Sequence, residues 1–438
     1  MCIFTAVFHD AIPMRVLLSQ VKIVDSRHHT LSAPCDILIV NGYIDRIADR
    51  IDDETAERIE LPHAHVSPGW IDLFADFGDP GFERKEDVRS GCAAAAAGGF
   101  TEVCLVPNTI PVIQSKAEID YLLHKSRELP VTIRPLGAIS KDLEGKALAE
   151  LYDLYAHGAV AFSDGWQPVQ SAALLLKALE YVRAFDGTII QLPDHQSLST
   201  HGLMHEGIHS VRLGMPGIPA ISELIQVQRD MELARYAASR IHFTGISTRQ
   251  AIEAIARAKQ EGLQVSCSIT AYHLALTDAC LEDYDTNLKV IPPLRSQEDV
   301  DALKQAVAAG IIDAFATHHR PQDIESKQLE FEYAAPGMIG MESFFGIMNR
   351  ELATIDLLDK IAMLTTRPRS LLGLPEVEIA VGKEANLTIF DPDKEWTFEE
   401  KHIRSRSHQT PFIGQRLKGF VYGIFAKHQL VLHSSSPE

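Results

Sequence analysis

Eight short apolar runs, each followed by a helix-patterned segment, constrain this chain more than any other feature. The runs fall at residues 66–73, 102–106, 132–136, 159–162, 188–192, 240–244, 264–269 and 312–316. Helical periodicity lies between them, as at 117–128, 171–184, 223–238, 249–260 and 298–308. Alternating strand and helix predicts parallel strands joined by crossover helices. Eight such units predict a (β/α)8 TIM barrel of the α/β class rather than an open sheet. The alanine run at 93–97 is helix-compatible and lets a helix pack closely on that sheet.

The two ends of the chain have a different character. RVLLSQVKIVD, DILIVNGYIDRIAD with its Asn41-Gly42 turn, NLTIFDPDKEWTF and GFVYGIFAKHQLVLH all read as strands with turn punctuation. Two all-β ends around an α/β middle predict one small composite β-sandwich domain built from both termini. The expected organisation is therefore an N-terminal extension or upstream start at 1–13, an N-terminal β-domain segment at 14–65, the barrel at 66–370, and a C-terminal β-domain segment at 371–438.

Charge removes several function classes. The 438 residues carry 41 Lys and Arg against 59 Asp and Glu, a formal net charge of −18. An acidic excess spread along the chain argues against nucleic acid and anionic membranes as main partners. The uncharged stretch around the alanine run, residues 90–101, is short of the ~20 residues that span a bilayer. The start, MCIFTAVFHD, lacks the basic region of a secretory signal. Cys2, Cys35, Cys92, Cys104, Cys267 and Cys280 show no paired spacing, which predicts reduced thiols, buried as small hydrophobes, in a cytoplasmic protein.

In a (β/α)8 barrel the chemistry sits at the carboxyl ends of the strands. Here those ends read Phe74-Ala75-Asp76-Phe77-Gly78 after strand one, Pro107-Asn108-Thr109 after strand two, and Ser163-Asp164-Gly165 after strand four. Strand five gives Leu192-Pro193-Asp194-His195, strand six Gly245, and strand eight Thr317-His318-His319. With PGWIDLFADFGDPGFERKEDVRSGCAAAAAGGFTEVCLVPNTIP, GAVAFSDGWQPV, EGIHSVRLGMPGIP, HFTGIST, NLKVIPPLR, DAFATHHRPQ, YAAPGMIGMES and SHQTPFIGQRLKG in order, the chain resembles the type I dihydroorotases of the cyclic amidohydrolase family. The resemblance runs from about Met14 to about Leu432. It implies the barrel with its composite β-domain, a place in pyrimidine biosynthesis, and hydrolysis of a ring amide by zinc-activated hydroxide.

The same resemblance marks what has changed. The family's HxH pair after strand one corresponds to Phe74 and Asp76, its strand-five histidine to Leu192, its strand-six histidine to Gly245, and its strand-eight aspartate to His318. Of these metal positions only the strand-four aspartate is kept, as Asp164. Around the substrate, the arginine after HxH is Gly78, the histidine after strand eight is Gln322 and the asparagine of NPPLR is Ile291, while the substrate asparagine survives as Asn108. Phe74, Leu192 and Gly245 offer no donor side chain, so no metal ligand set and no catalytic residue is expected.

Other candidates have plainer readings beside the sharp ones. Asp76, Asp164, Asp194, His195, His318 and His319 form either a rearranged mononuclear zinc site or a polar pocket mouth bonded to itself and water. His63-Ala64-His65 has HxH spacing but precedes strand one, and His201, His205 and His209 sit in a glycine-interrupted stretch expected to pack as a loop. The ERKED segment at 83–87 reads as a solvated helix entrance. The functional expectation is a non-catalytic, dihydroorotase-like structural or regulatory subunit, homodimeric, with aspartate transcarbamoylase as the partner the resemblance implies. A cyclic amidohydrolase using zinc at the rearranged rim, and a non-catalytic small-molecule binding protein, are the alternatives.

Overall fold

In the computed structural model, residues 14–25, 27 and 30–433 are described. The N-terminal extension expected at 1–13, with Cys2, lies outside them. Eight parallel strands run in sequence order: Trp70–Ala75, Phe100–Leu105, Thr132–Gly137, Ala161–Phe162, Ile189–Gln191, Ile241–Phe243, Val265–Ile269 and Ala314–Phe315. The last meets the first through the backbone, where Asp76 N–H donates to His319 O at 2.8 Å and His318 N–H to Phe74 O at 3.1 Å. The barrel is thereby closed at its carboxyl end, where such folds place their sites.

Local sequence explains where the helices stop and start. Asp87 accepts the Ser90 N–H at 2.8 Å to begin Val88–Gly98, and the left-handed Gly99 ends it. Ser115 and Glu118 form a reciprocal capping box on Lys116–Lys125. Thr248 caps Arg249–Gln260, whose buried face is Ala251, Ile252, Ala254, Ile255 and Ala258, an i, i+3, i+4 stripe laid on the barrel wall.

The additional sheet domain is a nine-stranded sheet drawing on both ends of the chain. Arg15–Asp25 pairs with Cys35–Val40, and His65–Pro68 bridges the termini, parallel to Lys22–Ile23 and antiparallel to Leu387–Phe390. Val16, Leu18, Ile37, Ile39, Val66, Leu387, Ile389 and Phe425 form its core. The run at 66–73 therefore divides between two sheets. His65–Pro68 belongs to the composite sheet, and the barrel strand begins at Trp70. Gly69 makes the break possible: a Cβ there would stand 1.9 Å from Asn386 Oδ1 and 2.1 Å from Thr101 Oγ1. Trp70 then packs on Phe100, Phe345 and Phe390 with ring centroids 4.9–6.2 Å apart, tying the two sheets together.

Candidate functional site at the barrel mouth

The mouth is built around one aromatic cluster. Phe74, fully buried, meets the Trp166 ring edge-on at 4.9 Å and the His318 ring at 4.8 Å; Trp166 and His318 are 5.4 Å apart. Below them the apolar lining runs through Ile71, Leu73, Cys104, Leu136, Ile190 and Leu192. Gly245 is left-handed at φ +67, and a Cβ on it would stand 2.4 Å from His318 Cε1. The His318 ring thus fills the space that a side chain on residue 245 would need.

A polar chain runs down the opposite wall. His318 Nε2 pairs with Thr244 Oγ1 at 2.8 Å, and Ser268 Oγ donates to Thr244 Oγ1 at 3.1 Å. His242 Nε2 pairs with Ser268 Oγ at 3.0 Å, and its Nδ1 with Ser266 Oγ at 2.9 Å. Burial holds His242 and His318 each at a pKa of about 3, so both are neutral near pH 7. Sequence reasoning misses this chain. Its signal is polar residues two apart in otherwise buried strands, His242 and Thr244 on one, Ser266 and Ser268 on the next.

The six rim candidates are not gathered into one centre. Asp76 accepts from Gly78 N–H at 2.8 Å and Trp166 Nε1–H at 3.1 Å. Asp164 turns into the loop after the third barrel strand, accepting from Ile139 N–H, Ser140 N–H and Ser140 Oγ–H at 2.5–2.9 Å. Burial still raises its pKa to about 6 against those bonds. Asp194 accepts from Ser199 Oγ–H at 2.6 Å, and His195 Nδ1 pairs with Ser197 Oγ at 2.9 Å, both on the next wall. His319 points outward, its Nδ1 accepting from Gly340 N–H at 3.2 Å and its Nε2 3.5 Å from Glu86. Among the described residues, no group of three or more His, Cys, Asp and Glu is placed to hold a metal ion.

Asn108 stands where expected but clamps loops: Trp166 N–H donates to its Oδ1 at 3.1 Å, and its Nδ2 donates to Asp164 O at 3.2 Å. His65 lies in the composite sheet, bonded to His63 O at 2.9 Å, away from the mouth, and His205 packs against Arg295 at 3.3 Å. The 83–87 segment is not simply a solvated entrance. Glu86 is fully buried and accepts from Ser405 Oγ–H and Arg406 N–H, because the 404–407 loop folds over it. Charge pattern alone hides this, since the covering chain comes from more than 300 residues away. The missed residue of most consequence is Arg320, whose guanidinium lies 4.4 Å over the Trp166 ring.

Two cavities flank Trp166. One of about 260 Å³ lies between Asp76, Lys85, Asn108, Arg320 and Gln322; the other, about 430 Å³, is bounded by Leu192, Asp194, Ile291 and Pro336. Free cysteines Cys35, Cys92, Cys104 and Cys267 are buried and Cys280 is exposed. Among the described residues no helix is long and apolar enough to cross a membrane.

Comparison with known proteins places the chain. A family model described as dihydro-orotase-like matches residues 64–251. A dihydroorotase of Syntrophotalea carbinolica is 39% identical over 409 residues, covering 93% of this chain and 96% of that one. A dihydroorotase of Syntrophus aciditrophicus is 35% identical, over 95% and 99%. Among solved structures, an L-hydantoinase (dihydropyrimidinase) from Arthrobacter aurescens superimposes with a TM-score of 0.83 over 95% of this chain and 96% of that one, at 22% identity, a likeness of fold. With more than a third of its residues shared along nearly the whole length of both chains, this protein belongs to the dihydroorotase-like family.

Proposed function

We propose that this chain is a dihydroorotase-family barrel that does not hydrolyse dihydroorotate and serves pyrimidine biosynthesis as a structural or regulatory subunit. The observation that carries the reading is the packed Phe74–Trp166–His318 cluster at the strand ends. A hydrolytic zinc needs about four ligands, one of them water, and lowers that water's pKa from about 15.7 to about 7. The donor set here does not fit such a centre. Phe74 and Leu192 are apolar and buried, the His318 ring fills the space beside Gly245, and Asp164 has three hydrogen-bond donors of its own. Apolar groups in place of buried ligands remove charges that only a metal would compensate, which favours a barrel stable without one.

The subunit reading takes a cytoplasmic homodimer, closed two-fold assembly being commonest, bound to aspartate transcarbamoylase. The small-molecule binding reading is favoured by one observation, the polar cavity of about 260 Å³ beside Asn108. An amidohydrolase working through Asp76, Asp164, Asp194, His195, His318 and His319 has the least support, since those side chains bond to different neighbours. The test is a steady-state assay of dihydroorotate ring opening with purified protein, alongside co-expression with the transcarbamoylase from the same source. The reading expects no turnover above background, none restored by Phe74→His alone, and a shared elution peak by size exclusion. Ordinary turnover, a kcat of about 1 s⁻¹ or more, overturns the loss of chemistry. Separate elution of two folded chains at micromolar concentration overturns the partner and favours ligand binding.

A further inference from the structure

The outer wall of the barrel carries a feature that neither the mouth nor the composite sheet uses. Helix Ala172–Arg183 turns Leu174, Leu175, Ala178, Leu179 and Val182 inward, and helix Leu151–Ala156 does the same with Leu151 and Leu154. That periodicity leaves Tyr152, Tyr155 and Tyr181 on the outside, 57%, 45% and 37% exposed. They form one patch rather than three scattered residues. All three rings pack on the half-buried Phe185, with centroids 5.7, 4.7 and 6.3 Å from its own. Phe185 rests in turn on Phe162 of the fourth barrel strand at 5.9 Å. Among the described residues no group is hydrogen-bonded to the three hydroxyls. Braced tyrosines of this kind suit the centre of an interface, with an aromatic body to bury and a polar tip to pair. The three rings expose roughly 300 Å², an apolar centre for the ~800 Å² that each partner buries in a stable dimer.

The charges around the patch narrow the choice of partner. Glu150 lies 3.8 Å from Lys141, Asp153 3.4 Å from His157, and Asp186 2.8 Å from Arg240. Arg183 turns away and donates to Ala237 O at 2.9 Å. Lys177 and Glu180 are left, both exposed on the helix that carries Tyr181, and neither has an ion-pair or hydrogen-bond partner among the described residues. One unpaired charge of each sign makes the face self-complementary, because a two-fold axis sets residue i of one copy against residue j of the other and j against i. The two charges also cancel locally. That matters for two chains which each carry a formal charge of −18 and repel one another over most of their surfaces.

We propose that two copies of the chain meet on this face. Tyr152, Tyr155 and Tyr181 form the buried centre, and Lys177 of each copy pairs with Glu180 of the other across the axis. The homodimer of the subunit reading is assumed, and its interface is thereby located on the outer helices.

The experiment is sedimentation equilibrium of the full-length chain. The wild type should be a dimer with a Kd of about 10 µM or below. Tyr152→Glu and Tyr181→Glu, each checked for folding by circular dichroism, should raise that Kd at least tenfold. Lys177→Glu should raise it about threefold, and Lys177→Glu combined with Glu180→Lys should restore it, since the exchange re-forms the pair in the opposite sense. Val211→Glu, at an 81% exposed apolar residue on a different helix, should leave it unchanged. A dimer that withstands both tyrosine variants in folded form, or that Val211→Glu weakens instead, overturns this interface and leaves the homodimer standing. Failure of the double exchange to restore the Kd overturns the reciprocal pairing. A wild type that sediments as a monomer overturns interface and homodimer together. Loss of transcarbamoylase co-elution in Tyr152→Glu would then give the face to that partner.

Discussion

The two walls of the barrel interior solve the same packing problem by opposite means. Toward the first five strands the interior is apolar, stacked as Ile71, Leu73, Phe74, Leu136, Ile190 and Leu192. Toward strands six and seven it is polar, joined in the His242–Ser268–Thr244–His318 chain, with His318 Nδ1 left without a hydrogen-bond partner among the described residues. The difference teaches that a barrel mouth can be filled by hydrogen-bonded neutral histidines as well as by hydrophobes. Both nitrogens of the neutral His242 ring and one of the His318 ring are taken up by hydroxyls. His318 joins the walls, ring against Phe74 and Nε2 against Thr244.

Breaking the apolar wall should have the largest effect. Phe74→Ala removes a buried ring from between Trp166 and His318 and should cost about 3–5 kcal/mol, read as a lower urea midpoint with unchanged m. A cost below about 1 kcal/mol would mean that the cluster is loosely packed. On the polar wall, Thr244→Val keeps the shape but deprives both His318 Nε2 and Ser268 of a partner. It should cost about 1–3 kcal/mol, and a double-mutant cycle with His318→Leu should show coupling of the same order. Additive single costs would contradict a connected chain.

The histidines also set a pH signature. His318 has a folded pKa of about 3 against an ordinary 6.5, so below pH 6.5 the unfolded chain takes up a proton that the folded chain refuses. Its contribution to stability is complete above about pH 6.5 and is lost as pH falls toward 3. Asp164, with its pKa raised to about 6 from 3.8, works in the opposite direction, losing stability as pH rises between those values. The two partly cancel in the wild type, so the comparison must be between variants. His318→Leu should flatten the loss between about pH 6.5 and 4 by up to about 1.4 kcal/mol per pH unit. An unchanged slope would mean that His318 is protonated in the folded protein.

The smallest expected effect is on assembly. If the transcarbamoylase docks on outer surfaces, Asp164→Ala, assayed where the variant remains folded, should leave co-elution unchanged. Loss of the complex in a folded variant would move the interface to the barrel mouth.

Much of the architecture is legible in the sequence because it is periodic. Strand–helix alternation and turn chemistry at both ends carry the barrel and the composite sheet. Boundaries fail where two sheets share one apolar run, as at residues 65–75, since only the three-dimensional crowding at Gly69 divides it. The apolar character of Phe74 and Leu192 is legible because hydrophobicity is local information. What the polar candidates do is not, since Asp164, His319 and Glu86 each choose a partner far away in the chain. Arg320 shows the same gap from the other side. Its place over the Trp166 ring is set by the fold and not by its neighbours in the sequence.

The central claim is that the mouth cannot assemble a hydrolytic zinc centre, and metal content tests it most directly. Elemental analysis of protein purified without chelator should find well under one tightly bound zinc per chain, about four ligands per ion being required. Roughly two zinc ions per chain, removable only with loss of structure or ring-opening activity, would contradict the account.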